Sequence, residues 1–212
     1  MKIVNGWAFP LADGFMSSRI GVNGEYQKSH LDAALKLVRG WKVAVDGGAH
    51  VGTWSKLMVQ RFSSVVSFEP SVDTFECLVH NMQGITNASL RNQALGKAPG
   101  MVEMTLEGFE RAIMLKNTGA RFTKEGGTTE RVTLDSLELP ALDFLKLDVE
   151  GGEVDALEGA RRTLKEFHPV VLFEDKNLWK RYGYGRQAPH DLLTYLGARH
   201  LIRVQMDEIW GW

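Results

Sequence analysis

The segment from Val43 to Gly52 constrains the fold of this chain more than any other part of the sequence. It reads VAVDGGAHVG, an apolar run that predicts a strand, followed by an acidic residue and a turn with three glycines. A helical pattern over 53–62 comes next, and then a second strand over 65–68 that ends at Glu69 and Pro70. A strand, a glycine-rich turn, a helix and a second strand closed by a carboxylate are typical of a nucleotide-type site at the edge of a parallel sheet.

The position of Asp46 relative to the glycines separates two classes of cofactor. A dinucleotide site has the spacing Gly-x-Gly-x-x-Gly, in which the middle glycine admits a pyrophosphate. Here Asp46 stands directly before Gly47 and Gly48, and a carboxylate in that place would repel a diphosphate. S-adenosylmethionine carries a sulfonium and an ammonium and no phosphate, so the loop favours that cofactor over NAD. The carboxylate of Glu69 is suited to accept hydrogen bonds from both hydroxyls of a ribose.

Composition limits the chain to one globular domain with small additions. It has 212 residues, a hydrophobic share of 44% and a formal net charge of −1, so it has no overall attraction for nucleic acid or an anionic membrane. The single cysteine, Cys77, cannot form an intramolecular disulfide and is predicted to be a core residue on a helix. No window is apolar enough for a membrane span, and the first residues lack a secretory signal. We expect a cytoplasmic protein with no membrane partner.

Strands that alternate with helices predict an α/β fold with a mostly parallel sheet. The predicted strands lie at 41–45, 65–68, 88–91, 142–148 and 169–173, with a closing hairpin at 200–206 and 208–212. The predicted helices start at an N-cap at Ser29, then cover 53–62, follow Ser71, and cover 150–167 and 191–196, with a helical turn at 133–137 and an exit loop at 92–96. Residues 1–40 are an N-terminal arm and helix, either packed on the domain or forming a lid over a substrate pocket. Residues 41–212 form one domain with a β-rich insert near 99–133, either antiparallel strands or a mobile loop.

Four of the predicted strands end at acidic residues. These are Asp46, Glu69, Asp148 and Glu174. Ligands of an open parallel sheet bind at the carboxyl ends of its strands, so we expect all four carboxylates at one rim. Each of these acids alone could be a helix N-cap. N-capping explains less well why four strands all end at an acidic residue.

Further motifs in the same order resemble the FkbM family of S-adenosylmethionine-dependent methyltransferases. The motifs that carry the resemblance are Val45–Gly52, Phe68-Glu69-Pro70, Ala94-Leu95-Gly96, Thr133–Leu137, Leu145–Gly151, Leu157–Ala160 and Pro169–Glu174. The resemblance implies a Rossmann-like class I methyltransferase fold, with helices on both faces of a seven-stranded sheet in which six strands are parallel and the last is antiparallel. The residues Glu174-Asp175-Lys176 and Tyr182-Gly183 resemble a compact subgroup found in bacteriophage genomes.

The resemblance also implies a set of cofactor-binding residues for S-adenosylmethionine. Asp46, Gly47, Gly48 and Gly52 would hold its methionine end, Glu69 the ribose hydroxyls, and Asn92, Gln93 and Ala94 the adenine edge. Ala49, His50, Pro70 and Asp148 are counted with them. His50 departs from the family, which usually has Asn there, so the imidazole makes either a similar hydrogen bond or a different contact.

Family members mostly methylate oxygen, which makes a hydroxyl of a glycan or small metabolite the expected acceptor. A general base at such a hydroxyl contributes about 10²–10⁴-fold to the rate. Asp148 is the first candidate for this base, and Glu150, Glu174 and Glu153 are the others. The alternative for Glu150 and Glu153 is electrostatic support of a helix N-terminus. Asp148, Glu150 and Glu174 could hold Mg²⁺, but nothing in their spacing demands it, and we predict no metal.

Other functions remain as alternatives. The hypothesis that the protein methylates an RNA or protein nitrogen is weakened by one sequence feature. Asp148-Val149-Glu150-Gly151 stands where amino-directed enzymes have an Asn-Pro-Pro-Tyr-type loop. The glycine spacing that a nicotinamide-dependent oxidoreductase requires is absent from this chain. A cofactor-binding protein without catalysis would not need the acids at the strand ends. Lysines and arginines at 176, 180, 181 and 186 predict a solvated helix face, with nucleic acid or an anionic glycan as the alternative ligand. Lys146, inside an apolar strand, either pairs with a neighbouring acid or extends its amine to the rim.

Overall fold

The computed structural model describes residues 1–20, 25–106 and 117–212. In that part of the chain the strands are Lys2–Val4 (β1), Trp7–Phe9 (β2), Val43–Gly47 (β3), Ser64–Phe68 (β4), Ala88–Arg91 (β5), Gln93–Leu95 (β6), Gly100–Thr105 (β7), Phe122–Glu125 (β8), Thr129–Val132 (β9), Phe144–Leu147 (β10), Val170–Glu174 (β11), Arg199–Val204 (β12) and Asp207–Gly211 (β13). The α-helices are Met16–Arg19 (α1), Lys28–Leu35 (α2), Thr53–Met58 (α3), Val72–Asn81 (α4), Glu153–Glu158 (α5), Arg161–Phe167 (α6) and Ala188–Tyr195 (α7). Short 3₁₀ helices lie at Thr118–Ala120, Leu134–Leu137 and Leu178–Tyr182.

Seven of these strands form the central sheet, in the order β12-β13-β11-β10-β3-β4-β5. The five strands from β11 to β5 pair in parallel, whereas β13 pairs antiparallel with both β11 and β12. β12 therefore runs in the same direction as the parallel strands, and within this sheet only the last strand of the chain runs the opposite way. This confirms the predicted class I arrangement.

Alternate residues of the central strands enter two apolar cores, because successive side chains of a strand point to opposite faces. Val45, Leu145 and Phe173 pack in a core that includes residues of α5, α6 and α7. Ala44 and Phe144, one position away in sequence, pack in a second core with residues of α2 and α3. Helices thus cover both faces, and burial on both sides explains why these strands are apolar over nearly their whole length.

The prediction of one continuous helix over 150–167 is wrong. It is divided into α5 and α6 at Gly159 and Ala160. A Cβ at Gly159 would collide with the carbonyl oxygen of Gly96, so the chain comes too close here for any larger residue. The predicted N-cap at Ser29 is also wrong, because Ser29 lies inside α2 and Gln27 occupies the cap with a φ of 50°.

The predicted insert is a second sheet of mixed direction. Its order is β6-β9-β7-β8, in which β7 pairs antiparallel with β8 and β9. The segment 92–96, predicted as an exit loop, contributes β6, which pairs in parallel with β9. β6 has only three residues and no alternation of buried and exposed positions, so the sequence pattern does not reveal it as a strand. Residues 107–116 of the insert lie outside the described part of the chain.

The N-terminal arm packs on α4. Its two short strands, β1 and β2, form an antiparallel pair, and Trp7, Ala8 and Phe9 are buried against Val51 and Cys77. The side chain of Asn81 accepts a hydrogen bond from the backbone N–H of Ala8 (2.7 Å) and donates one to the Ala8 carbonyl (3.0 Å). Cys77 is a buried core residue, as predicted. None of the helices among the described residues has the length and apolar character that crossing a bilayer requires.

Candidate cofactor and acceptor site

A cavity of about 250 Å³ opens at the carboxyl ends of β3, β4, β10 and β11. Of the sequence-predicted site residues, those that line it are Gly48, Ala49, His50, Glu69, Pro70, Gln93, Ala94, Asp148, Glu150 and Glu174. Asp46, Gly47, Gly52 and Asn92 are not among its lining residues. Three of the four strand-end acids therefore share one cavity, and the fourth, Asp46, lies below it.

Asp46 forms a buried ion pair with Lys146. The two residues are direct partners on β3 and β10, and Lys146 Nζ lies 2.9 Å from Asp46 Oδ1. Ser55 donates a hydrogen bond to the other carboxylate oxygen (2.6 Å). Burial alone would lower the pKa of Lys146, but the charges of Asp46 and Asp148 outweigh it and raise that pKa. Lys146 therefore stays charged and pairs with a neighbouring acid, the first of the two predicted alternatives.

The same ammonium holds the backbone of the glycine loop. Lys146 Nζ donates to the carbonyl oxygens of Gly48 (2.7 Å) and Gly47 (3.2 Å). With Asp46 as the third partner, all the N–H groups of this lysine have acceptors. The side chain of Lys146 thus holds the glycine loop in place.

Glycine is required in this loop by the protein itself. Gly48 has a φ of +75°, and a Cβ there would collide with the backbone carbonyl of Asp148. Gly52 has a φ of +92°, and its Cβ would lie 2.6 Å from a methyl group of Leu78. Both positions need close approach between chain segments, which adds to the sequence-based argument that glycines admit a ligand.

Glu69 is held at the end of β4 by two backbone groups. One carboxylate oxygen accepts the N–H of His50 (2.9 Å), and the other accepts the N–H of Ser71 (2.9 Å). Burial raises the pKa of Glu69 to about 7, even though these hydrogen bonds lower it. A carboxylate has about four acceptor positions, so two remain for a ligand. Asn92 donates to the carbonyls of Glu69 and Pro70, and it positions this turn without reaching the cavity.

His50 connects the glycine loop to the insert and to the N-terminal arm. Its Nε2 lies 2.8 Å from the hydroxyl of Thr118, which in turn donates to Asp13 (2.9 Å). Since the hydroxyl proton is used on Asp13, Nε2 carries the proton in the pair with Thr118. Burial lowers the pKa of His50 to about 4, so the ring is neutral. Its Nδ1 is a buried acceptor that has no partner among the described residues. The imidazole thus links the glycine loop to Thr118 of the insert.

Three carboxylates converge on the other side of the cavity. Oxygens of Asp148, Glu150 and Glu174 all lie within 4.8 Å of one another. Lys176 Nζ lies 2.6 Å from Glu174 and 3.2 Å from Glu150. Burial, followed by the charge of Asp148, raises the pKa of Glu150 to about 7 and that of Glu174 to about 8. The carboxylate of Asp148 has no hydrogen-bond or ion-pair partner in the described part of the chain.

Glu153, the remaining candidate base, is not in the cavity. It is buried and accepts the N–H groups of Val149 and Gly151 at 3.2 Å each. It therefore supports the loop before α5, in line with the structural alternative stated for it. Burial raises its pKa to about 7.

Sequence reasoning missed several residues of the cavity. The basic residues at 176, 180, 181 and 186 are exposed, as the predicted solvated face requires. The prediction did not include the ion pairs of Lys176 with Glu150 and Glu174, or the binding of Asp175 by both terminal guanidinium nitrogens of Arg186. Lys176 follows the strand end at Glu174 by two residues, so the rule for strand ends could have found it. Phe15, Met16, Tyr26, Gln27, Thr118 and Arg121 also line the cavity. They come from the arm and the insert, whose tertiary contacts leave no local sequence pattern.

Replacement of Lys146 by Met tests the ion pair below the loop. Lys146→Met would leave Asp46 as an uncompensated buried charge, and such a loss costs about 3–5 kcal/mol. We expect the free energy of unfolding in urea to fall by that amount, and the double variant Asp46→Asn/Lys146→Met to recover part of it. Lys36→Met, at an exposed position, is the control. A Lys146→Met protein within about 1 kcal/mol of the parent, a factor of about five in the equilibrium constant, would contradict the account.

The raised pKa of Glu153 predicts a pH dependence of stability. An unfolded Glu titrates near about 4.3, so between that pH and about 7 the folded state binds more protons. The stabilisation is complete at low pH and is lost as the pH rises through 7. Glu153→Gln keeps an acceptor oxygen but cannot ionise. Between pH 5 and pH 8 its free energy of unfolding should fall less than that of the parent, by on the order of 1–3 kcal/mol. Glu76→Gln, at an exposed position, should retain the parent's slope, and an unchanged slope in Glu153→Gln would refute the prediction.

Comparison with known proteins supports a relationship along most of this chain. The family model for the methyltransferase FkbM domain matches residues 46–203. The hexuronic acid methyltransferase AglP of Haloferax volcanii is 26% identical over 133 residues, which are 60% of this chain and 53% of that protein. The chain thus spans about half the length of this curated relative.

Two solved structures share the fold. A methyltransferase FkbM from Methylobacillus flagellatus KT superposes with a TM-score of 0.52 and 18% identity, over 84% of this chain and 45% of that one. A precorrin 8w decarboxylase from Methanobacterium thermoautotrophicum superposes with a TM-score of 0.52 and 14% identity, over 100% of both chains. The likeness in structure shows the fold, while the family match spans well over half of the sequence. The chain therefore belongs to the FkbM methyltransferase family.

Proposed function

We propose that this protein uses S-adenosylmethionine to methylate a hydroxyl group on a glycan or a small metabolite. The observation that carries the proposal is the carboxylate of Asp148. It directly follows β10, the strand beside β3 and its glycine loop, lines the same cavity as Glu69, and is unpaired within the described residues. A carboxylate in that state can accept a proton from an acceptor hydroxyl.

The charges around the cavity fit a cofactor with a sulfonium and no phosphate. Lys146, which reaches the cavity, is occupied by Asp46 and by two loop carbonyls. Arg121 binds Asp73 with both guanidinium nitrogens, and Lys176 binds two glutamates. Each lysine or arginine among the described lining residues is thus paired with a carboxylate, and none of these three remains for a diphosphate. Negative charge near the reaction centre favours a sulfonium and disfavours NAD.

The site residues divide by the part of the cofactor that each would contact. Gly48, Ala49 and His50 would adjoin the methionine end, with Asp46 and Gly52 shaping the loop from outside the cavity. Glu69 would accept the ribose hydroxyls with its two remaining acceptor positions. Gln93 and Ala94, on β6, would adjoin the adenine, and Asn92 would act only through the turn at Glu69.

The chemistry requires alignment and one proton transfer. The cofactor supplies an electrophilic methyl group when it is bound. Asp148 would hold the acceptor hydroxyl in line and remove its proton as the O–C bond forms and the C–S bond breaks. The proton would then pass from Asp148 to solvent. Glu150 and Glu174 would be less available for this step, because the carboxylates of both are engaged by Lys176.

The expected acceptor follows from the relative and from the cavity wall. AglP acts on a hexuronic acid by its name, which supports a sugar hydroxyl as the acceptor. Phe15, Met16 and Tyr26 of the N-terminal arm line the cavity beside the carboxylates. Aromatic and thioether side chains pack well against the apolar face of a sugar ring. The arm would therefore form one wall of the acceptor site.

Two substitutions separate cofactor binding from catalysis. Glu69→Ala should weaken the binding of S-adenosylmethionine at least about tenfold, because two ribose hydroxyls lose their acceptor. Asp148→Asn should bind within about threefold of the parent and lose about 10²–10⁴-fold in turnover. Binding is measured by calorimetric titration, and turnover by formation of S-adenosylhomocysteine with a panel of glycosides.

Asp32→Asn, on the partly exposed side of α2, is the control for both measurements. If Glu69→Ala binds S-adenosylmethionine with the parental affinity, the assignment of Glu69 to the ribose hydroxyls is refuted. If Asp148→Asn has the parental turnover, the role of Asp148 as general base is refuted. A methylated amine as the product would support the alternative of nitrogen methylation.

A further inference from the structure

We propose that the ammonium group of Lys176 is the resident cation of the Asp148/Glu150/Glu174 cluster and holds the place that a divalent metal ion would otherwise take. Lys176 would then be a positioning residue. It keeps two of the three carboxylates occupied and leaves the third, Asp148, to face the acceptor. The proton-transfer part of this role rests on the proposed function, whereas the cation site itself does not.

The three carboxylates have the geometry of a cation site. Their oxygens lie within 4.8 Å of one another, on three residues that line one cavity. Carboxylate oxygens are the ligands that Mg²⁺, Mn²⁺ and Ca²⁺ prefer. Three such groups around one point carry a strong mutual repulsion unless a positive charge lies among them.

Lys176 supplies that positive charge. Its Nζ lies 2.6 Å from Glu174 and 3.2 Å from Glu150, so it bridges the two glutamates. An ammonium group has three donors, and only these two have acceptors among the described residues. The pKa of Lys176 is raised, because the charges of the three acids outweigh the effect of burial. The lysine is therefore charged at neutral pH.

The backbone fixes the cluster around this lysine. Glu150 has a φ of 51° and Gly151 a φ of 106°, so the loop after β10 turns sharply toward the segment after β11. A Cβ on Gly151 would lie 2.9 Å from the carbonyl of Leu178. Arg181 donates from the same segment to the Glu150 carbonyl (3.3 Å). This close packing places Glu150 against Lys176 by chain geometry.

An ammonium differs from a metal ion in what it leaves for the acceptor. It is a single charge with directional donors, and it offers no open coordination position for a hydroxyl. Activation of an acceptor hydroxyl would then depend on Asp148 as base. Removal of the lysine should convert the cluster into a site for a divalent ion.

The test measures Mn²⁺ binding in the absence of cofactor and acceptor. Binding is monitored by the loss of the free-ion signal in electron paramagnetic resonance. The parent protein should bind Mn²⁺ at least about tenfold more weakly than Lys176→Met. Lys176→Gln provides a second variant with a neutral side chain and should also gain binding. Lys176→Arg keeps the charge and should behave as the parent does.

Matched controls tie the gain to this cluster. Lys180→Met removes an exposed charge from the same segment and should leave Mn²⁺ binding at the parental level. Lys176→Met/Glu174→Gln should lose the gain. Thermal unfolding of each variant shows that it is folded.

Two results would overturn the inference. One is a parent protein that binds Mn²⁺ as tightly as Lys176→Met does, and the other is a pair of folded neutral variants that gain no binding. A titration of the parent with S-adenosylmethionine is independent of both, so a failure of this inference is distinguishable from a failure of the proposed function.

Discussion

The ion pair between Asp46 and Lys146 is the interaction on which the rest of the site depends. Two charges buried side by side on adjacent parallel strands are costly to desolvate, and they are tolerated only when their remaining hydrogen-bonding groups are satisfied. Ser55 completes the carboxylate, and the carbonyls of Gly47 and Gly48 complete the ammonium. The lysine therefore determines where the glycine loop turns, and the loop determines where His50 meets Glu69.

The acidic residues at this rim have different roles because their surroundings differ. Asp46 and Glu153 are buried and bind neighbouring groups of the chain, so they shape loops. Glu69 is buried but keeps acceptor positions toward the cavity, which suits a ligand with hydroxyl groups. Asp148 is unpaired within the described residues and suits proton transfer. Assignment of roles among acids thus follows from the partners of each carboxylate, and sequence position alone cannot supply it.

The sequence predicts the sheet well, because burial on both faces leaves a clear apolar pattern and strand ends are marked by acids. It identifies Glu69, Asp148 and Glu174 as neighbours for the same reason. It does not reveal the chain of hydrogen bonds through His50, Thr118 and Asp13, since these residues are brought together only by the packing of the arm and the insert. The break between α5 and α6 is missed because the close approach of Gly159 to Gly96 is a tertiary contact. The ion pairs of Lys176 are missed because Glu150, on the loop after β10, meets the end of β11 only through the tertiary fold.

The central claim is that the loop from Asp46 to Gly52 and the carboxylate of Glu69 form a site for S-adenosylmethionine. The most direct test is a parallel calorimetric titration of the parent protein with S-adenosylmethionine, S-adenosylhomocysteine and NAD. The account predicts micromolar binding of both adenosyl ligands, which corresponds to about −8 kcal/mol, and no heat of binding with NAD. Binding of NAD without binding of the adenosyl ligands would contradict it.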